Sequence, residues 1–570
     1  MGAIPILVIA VAQGWLLYAL HYSIQSKHWP ATEVGWLLAL YAVALFVPTA
    51  LQILAGHLRE RLTWLVAVVV TLMVGSLGGY AGWTLGTLSD NAFNFGFLLA
   101  LYGALLAAWF IALPFVQARL RGGTWRVAYP DLFEFGWQNA LVLGEAMLFT
   151  GVFRLLLLLW AQLFKVIGIS FFSELFAKPV FVYPASSVVF GYAIYLIESN
   201  EKIVAALRRH LLGVFSWLLP LVMFIALLFL LALPFTGLEP LWRTGHATTL
   251  MLWLQVLFVH FINSAYQDGL TEPRYPSWLK FAARIAVLAL PIYAVLSTYS
   301  LGLRVHQHGW TVARVWAAIA TFLAALYGIG YAVAALRRSP WMGNMARVNV
   351  MMAGVVAAAL LLAVSPILDP KRITAESQLA RLRSGRILPT RFDYDYFRFE
   401  LARYGRDALA ELAKDSNNEI ARPSAAALAK ARRYDTSAPT APEAVASRIE
   451  LFPRGAKLDP TFLTYLQDSV KERPGEHPGC LRTTGGKPCV MLALDLNGDG
   501  QPEILSLGNY PMAVYAKAAG GWKKVGNLSG TNYDLRGVED LLRDGKASTE
   551  PHPWRDVVIG SKRYSVHPTP

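Results

Sequence analysis

The chain has 570 residues, of which 55% are hydrophobic and only 15% charged, and its mean hydropathy is +0.42. Soluble proteins carry about 25% charged residues, so a water-soluble globular class is excluded for most of the chain. The net charge of +14 does not argue for nucleic acid, because the Lys and Arg of a membrane protein collect in loops that face the cytoplasm and its anionic lipids; no nucleic-acid partner is expected.

The charge deficit is local. Residues 1–366 hold 21 of the 51 Lys/Arg and 12 of the 37 Asp/Glu, so a boundary falls near Leu368 and residues 1–368 read as a transmembrane helical bundle. A span needs about 20 apolar residues. Eleven are read, at 3–21, 36–54, 62–83, 95–116, 139–164, 180–197, 211–234, 249–266, 279–300, 311–336 and 348–367. The first lacks a basic leader and a small-residue cleavage site, and reads as a retained span rather than a signal peptide. Loops after the even spans hold thirteen Lys/Arg and the alternate loops six. The positive-inside rule then puts the N-terminus in the cytoplasm. An odd span count puts the C-terminal part outside, which is the periplasm of a two-membrane bacterium.

Span 5 carries Glu145 and Arg154 well inside its ends. An ionisable residue at membrane depth is costly and marks a functional site by default. Nine residues apart, the two fall on opposite faces of one helix, about 13 Å apart along its axis. Each therefore needs a partner from another span, or the helix breaks near Thr150-Gly151 into the half-helices that frame transporter sites. Structural pairing within the bundle is the competing reading. His260 and Asn263 of span 8 stand at i,i+3 and are the candidate partners in a polar intramembrane site. The stretch 166–184 is aromatic and broken by Gly168, Pro179 and Pro184, which suits a short interfacial helix with Phe171, Phe172 and Phe176 in the lipid boundary; a re-entrant segment is the alternative.

Residues 369–433 read as an amphipathic helical segment, in which Tyr394, Phe397, Leu401 and Tyr404 form one stripe. Residues 434–447, rich in Pro, Ala, Ser and Thr, read as a linker. Residues 448–570 read as a small α+β extracytoplasmic domain. Its strand candidates are 490–496, 503–507, 513–516 and 557–559, and its helix candidate is 535–543.

The sharpest motif of this domain is LALDLNGDGQPEILSLG. Asp495, Asn497, Asp499, Gln501 and Glu503 alternate along a tightly turning loop, with Gly500 at the sharp turn, an arrangement that can wrap a hard cation. Calcium is the expected cofactor. The flanking strands exclude an EF-hand, and the loop resembles the strand–loop–strand calcium loops of FG-GAP repeats. An ion-free hairpin turn is the competing reading. Cys480 and Cys489, the only two cysteines, can close a short hairpin as a disulfide in an oxidising compartment; they are too few for a zinc site.

Walker A, G-x-S-x-G and H-E-x-x-H motifs are absent from the chain, so no enzyme class is indicated. GISFFSELFAKP at 168–179 and DPKRITAESQLARLRSGRILPTRFDYDYFRFELARYG at 369–405, with the multi-pass layout, resemble a bacterial membrane family catalogued only as a domain of unknown function. RFDYDYFRFELARYG is the most specific part, and the similarity covers roughly residues 1–430. The resemblance implies a bacterial inner-membrane protein and transfers no activity. The leading expectation is a polytopic membrane protein that handles a small solute or a lipid-linked molecule at the Glu145/Arg154 site. The alternatives are an envelope scaffold or sensor whose outer domain engages protein partners, and an enzyme acting on lipid or cell-wall precursors. Oligomeric state is not legible.

Overall fold

In the computed structural model, the described residues are 3–86, 95–243, 246–270, 275–336, 341–430, 445–453, 455–472, 478, 489–506, 512–518, 521–528, 557–559 and 562–564. The chain divides into two compact units, Met1–Leu428 and Ala429–Pro570. The proposed linker falls mostly on residues outside the described set. So do Cys480 and the helix candidate at 535–543.

The first unit is all helical. Its helices are α1 (Ala3–Ser26), α2 (Val34–Ile53), α3 (Arg61–Leu85), α4 (Phe95–Gly122), α5 (Tyr129–Val166), α6 (Phe171–Ala177), α7 (Pro179–Glu198), α8 (Glu201–Thr236), α9 (Glu239–Arg243), α10 (Ala247–Tyr266), α11 (Ser277–Leu288), α12 (Leu290–His308), α13 (Val312–Leu336) and α14 (Met345–Ala363). Among the described residues eleven stretches are long and apolar enough to cross a bilayer, with α11 and α12 forming one of them. All backbone polar groups of a helix are paired internally, which is what the hydrocarbon interior requires.

Two of the sequence expectations for helix continuity change. Helix α5 runs unbroken from Tyr129 to Val166, passing through Thr150-Gly151. The interrupted span is the ninth, where α11 ends at Leu288 and α12 restarts at Leu290. Pro291 explains the restart: it has no N–H to donate, so it sits at the first turn of a new helix.

The spans pack as two lobes. Helices α1 to α5 and α7 form one, and α8 and α10 to α13 form the other, with α14 against both α4 and α13. Within the first lobe α2 and α3 approach unusually closely. A Cβ on Gly82 would lie 2.4 Å from the Val34 carbonyl oxygen, and one on Gly78 would lie 2.8 Å from that of Leu38. Small residues permit such approach where lipid provides no hydrophobic drive between helices.

After α14 the chain folds back as four short helices, α15 (Pro370–Arg383), α16 (Tyr394–Glu400), α17 (Ala402–Leu412) and α18 (Asn418–Ala429). They form a cap on the bundle, α17 against α3 and α15 against α13. The expected stripe does not lie on one helix. Leu401 separates α16 from α17, and Ala402 takes a positive φ of 51°. Phe397, Leu401 and Leu409 then meet in the cap's own core.

The second unit holds a five-stranded sheet, β1 (Ile449–Phe452), β2 (Cys489–Leu494), β3 (Glu503–Ser506), β4 (Met512–Ala518) and β5 (Gly521–Leu528), in that spatial order. β1 pairs parallel to β2 and the others are antiparallel. Helix α19 (Pro460–Glu472) covers one face, where Phe462 and Leu466 pack on Met491, Ile504 and Tyr515. A separate two-stranded ladder joins β6 (Val557–Ile559) and β7 (Lys562–Tyr564).

The tight α2–α3 crossing makes a test of the packing. Gly82→Ala forces the two backbones apart and is expected to destabilise the protein by about 1–3 kcal/mol. Gly75→Ala, whose Cβ would meet only Val43 at 3.6 Å, is expected to be neutral. Thermal melting in detergent compares the two, and equal melting temperatures would refute the close-contact account.

Candidate functional site

The four expected intramembrane residues are dispersed. Glu134, near the start of α5, pairs with Arg121 at 3.1 Å. At 1.5 Å per residue, Glu145 stands about 16 Å further along the helix and Arg154 about 30 Å, roughly one bilayer thickness. Glu145 is thus near mid-depth, and Arg154 approaches the interface on the cap side. One carboxylate oxygen of Glu145 is buried without a hydrogen-bond partner among the described residues. Arg154 is half-exposed on a helix whose Leu155, Leu156, Leu158 and Leu159 are also exposed.

His260 and Asn263 do not act together. His260 is exposed and edges against Phe215 and Phe261. Asn263 turns inward to a closed network that spacing alone did not reveal. Its Nδ2 donates to the Tyr331 hydroxyl at 2.6 Å, and Tyr331 donates to Asn349 Oδ1 at 2.6 Å. Asn349 Nδ2 donates in turn to Asn263 Oδ1 at 2.7 Å and to the Tyr129 hydroxyl at 3.0 Å. The network ties α10, α13 and α14 to the start of α5, across the two lobes. Each amide both donates and accepts, so no charge is needed at depth.

The cap junction concentrates more chemistry. Asp369 Oδ1 accepts from the Lys371 amide at 2.7 Å, capping α15, while Oδ2 accepts from the Tyr80 hydroxyl at 2.6 Å. Tyr80 also meets the Tyr404 hydroxyl at 2.7 Å. Lys371 lies beside them. Its stem is partly exposed, yet its Nζ is buried without a hydrogen-bond partner among the described residues, 4.2 Å from the centre of the Phe97 ring. A cavity of 80 Å³ adjoins it, which is room for water rather than for a substrate. Burial pushes the Lys371 amine down to about 8, against the opposing pull of Asp369 and Glu400.

Next to this junction a groove of 820 Å³ runs between α2 and α3. Its floor is made of small residues, Gly35, Ala39, Gly75 and Gly79, and its cap-side mouth carries Glu33, Trp83 and Arg403. The Arg403 guanidinium lies 4.2 Å from the Trp83 ring and 3.5 Å from the Asp407 carboxylate. From Gly86 to Thr71 the groove extends about 20 Å along α3. On the opposite face a polar pocket of 760 Å³ includes His57, Arg121 and Glu198. His57 there pairs with Glu60, and Arg121 with Glu134 and Asp131.

In the second unit the 495–503 loop closes on itself. Asp495 accepts from the Gly498 and Gly500 amides at 2.7 and 2.9 Å. These and neighbouring amides, Gly500 foremost, hold its carboxyl below the usual range. Asn497 Nδ2 donates to Asp499 Oδ2 and Glu503 Oε1, both at 2.9 Å. Gln501 is exposed, and its backbone amide donates to Asp499 Oδ1. An amide group thus stands between the two carboxylates where a cation would be held. Among the described residues no three His, Cys, Asp or Glu side chains converge as a metal site. Cys489 opens β2 and is buried.

Eleven bilayer-length helices define a multi-pass membrane protein. The chain belongs to the family described as domain of unknown function DUF4153, whose model matches residues 37–413. The match takes in α3 to α17, and with them the cap junction and the α3 side of the groove, while Glu33 and Gly35 precede it; it stops before the second unit. None of the curated proteins and none of the solved structures matches the chain.

The buried amine yields a signed pH prediction. Folding favours the neutral form of Lys371, so a charge must be buried below pH 8, and that penalty lifts as pH rises from about 8 towards the ordinary 10.5. Lys371→Met is expected to raise the melting temperature at neutral pH, with an advantage that shrinks as pH passes 8. A gain that is flat across this range would overturn the assignment.

Proposed function

We propose that the protein handles a lipid-linked molecule at the cap-side half of the bilayer, rather than passing a solute through its centre. The observation that carries this reading is the α2–α3 groove, whose small-residue floor lies between two apolar spans and whose mouth presents Arg403, Glu33 and Trp83. A tail lies in such a groove and a polar head meets its mouth. The closed Asn263–Tyr331–Asn349 network and the orphan Glu145 oxygen give a central solute path no comparable support. We take the membrane to be a bacterial inner membrane and the cap side to be the outside, on the distribution of Lys and Arg among the loops.

The groove can be filled without moving its walls. A Cβ on Gly75 or Gly79 would meet nothing nearer than 3.6 and 3.9 Å respectively. Gly75→Leu/Gly79→Leu is expected to abolish labelling of the α2 and α3 peptides by a photoactivatable diacyl phospholipid in nanodiscs, with the melting temperature unchanged. Undiminished labelling would refute the groove as the lipid site.

A second reading concerns the outer unit as a calcium-stiffened module for envelope partners. Its support is the loop's backbone, in which Gly498 and Gly500 take positive φ and the Asp495, Asn497 and Asp499 side chains each accept an amide of the turn. Such turns aim alternate oxygens inward. An oxidising location also suits a Cys480–Cys489 disulfide. Calcium is expected to slow hydrogen exchange across 490–504 in the full chain, and Asp495→Ala to remove that protection. Identical exchange with and without calcium would eliminate the ion.

A further inference from the structure

Two cavities flank the turn that joins α12 to α13. One, of 500 Å³, is lined by Gln307, His308 and Thr311 of the turn and by Arg381, Arg386 and Arg391 of the cap. The other, of 540 Å³, is an apolar groove between α12 and α13 that runs from His306 and Trp310 at the turn to Phe322 and Ala325. A basic chamber and an apolar groove thus share one turn.

The chamber holds more positive charge than its own surroundings neutralise. Arg381 reaches across from α15 and donates to the His306 and Gln307 carbonyls at 3.2 and 2.8 Å. Its Nε remains buried without a hydrogen-bond partner among the described residues. Arg386 and Arg391 are exposed, and neither side chain makes a hydrogen bond or ion pair among the described residues. Asp393 is the one acid in the lining, and its Oδ1 already accepts from the Tyr396 amide at 2.8 Å. Arg314 adds positive charge within Coulombic range of Arg381, and itself feels Arg304. The polar pocket on the opposite face differs in this respect, because its Arg121 has acidic partners. Guanidinium groups match planar or tetrahedral oxyanions with paired N–H donors.

We propose that this chamber binds a phosphate-type oxyanion, and that in the membrane the oxyanion is the headgroup of an amphiphile whose tail lies in the α12–α13 groove. The proposal rests on the lipid-handling reading only for the source of the oxyanion. The charge and the orphan Nε define the chamber without any lipid.

The test uses the full chain. In uncharged detergent, inorganic pyrophosphate is expected to raise the melting temperature beyond the effect of sodium chloride at matched ionic strength. Arg386→Gln/Arg391→Gln should remove that rise, each guanidinium lost weakening pyrophosphate binding about tenfold. Both side chains are exposed and unpaired, so the variant should fold normally. Arg383→Gln is the control: Arg383 ends α15, the helix that carries Arg381, but pairs with Glu411 outside the chamber, and its loss should leave the rise intact. In nanodiscs, phosphatidylglycerol should stabilise the wild type relative to phosphatidylcholine, and not the double variant. A pyrophosphate rise without a phosphatidylglycerol effect would keep the oxyanion chamber and overturn its lipid source. No rise, a rise that survives in Arg386→Gln/Arg391→Gln, or one lost equally in Arg383→Gln would overturn the chamber itself. Because pyrophosphate binding needs no tail, its failure is separable from failure of the α2–α3 groove.

Discussion

One carboxylate organises the cap face. Asp369 follows the last span and begins the cap, and its two oxygens serve different elements. One caps α15 through the Lys371 amide; the other takes the Tyr80 hydroxyl of α3, which also meets Tyr404 of α17. Away from bulk water such bonds polarise one another and strengthen. Arg406 adds to the clamp by donating to the Leu85 carbonyl at 2.8 Å, one of the acceptors that a helix end leaves orphaned. With α17 held here, Arg403 sits at the mouth of the α2–α3 groove. With α15 held here, Arg381 reaches the α12–α13 turn. Both candidate ligand sites inherit their geometry from this junction.

Within the bundle the same problem is solved with neutral groups. Lipid supplies no hydrophobic force between helices, so packing and interhelical hydrogen bonds must do it. Side-chain amides serve because each donates and accepts. Gln117 and Asn139 bond reciprocally at 3.1 and 2.7 Å, joining α4 to α5. Gln52 donates to Gln13 at 2.8 Å, joining α2 to α1. Asn263 and Asn349 do likewise at the seam between lobes. Glu145 stands outside this scheme. Nothing among the described residues pairs its buried oxygen.

The spans were legible because bilayer thickness imposes a length that composition alone can reveal. The start of α5 was not, because its opening, with Asp131 in the first turn and Glu134 in the second, is charged and interfacial rather than apolar. The cap helices were visible as amphipathic sequence, but a continuous stripe concealed the break at Leu401. Gly405 was the available signal. A Cβ there would lie 1.9 Å from the Phe397 carbonyl oxygen, so the chain folds sharply back where a straight helix was expected. The polar sites were least legible. Charge at membrane depth drew attention to Glu145 and Arg154, whereas the satisfied network and the cap junction use Tyr and Asn contributed from positions hundreds of residues apart. Besides Asn263, the local hint was Asn349, which follows Arg347 at the start of the otherwise apolar α14. The Arg381, Arg386 and Arg391 chamber looks in sequence like an ordinary basic segment. Only folding shows that Asp393 is the one acid that lines it.

The two grooves lie in different lobes, α2–α3 in the first and α12–α13 in the second, yet both rise towards the cap. A conducting path would require a water-lined route between the lobes, and there the seam is closed by hydrogen-bonded Asn and Tyr side chains. An amphiphile needs something else: an apolar flank for its tail and a fixed polar surface at one interface for its head. The cap supplies that surface to both lobes at once, through α17 on α3 and α15 on α13. Its basic side chains differ in how far they are neutralised. Arg403 is shared between Trp83 and Asp407, whereas Arg386 and Arg391 are unpaired. An anionic head therefore gains more at the α12–α13 turn, and a less charged one loses less at the α2–α3 mouth. On the lipid-handling proposal, one cap thus presents two grooves of different headgroup preference.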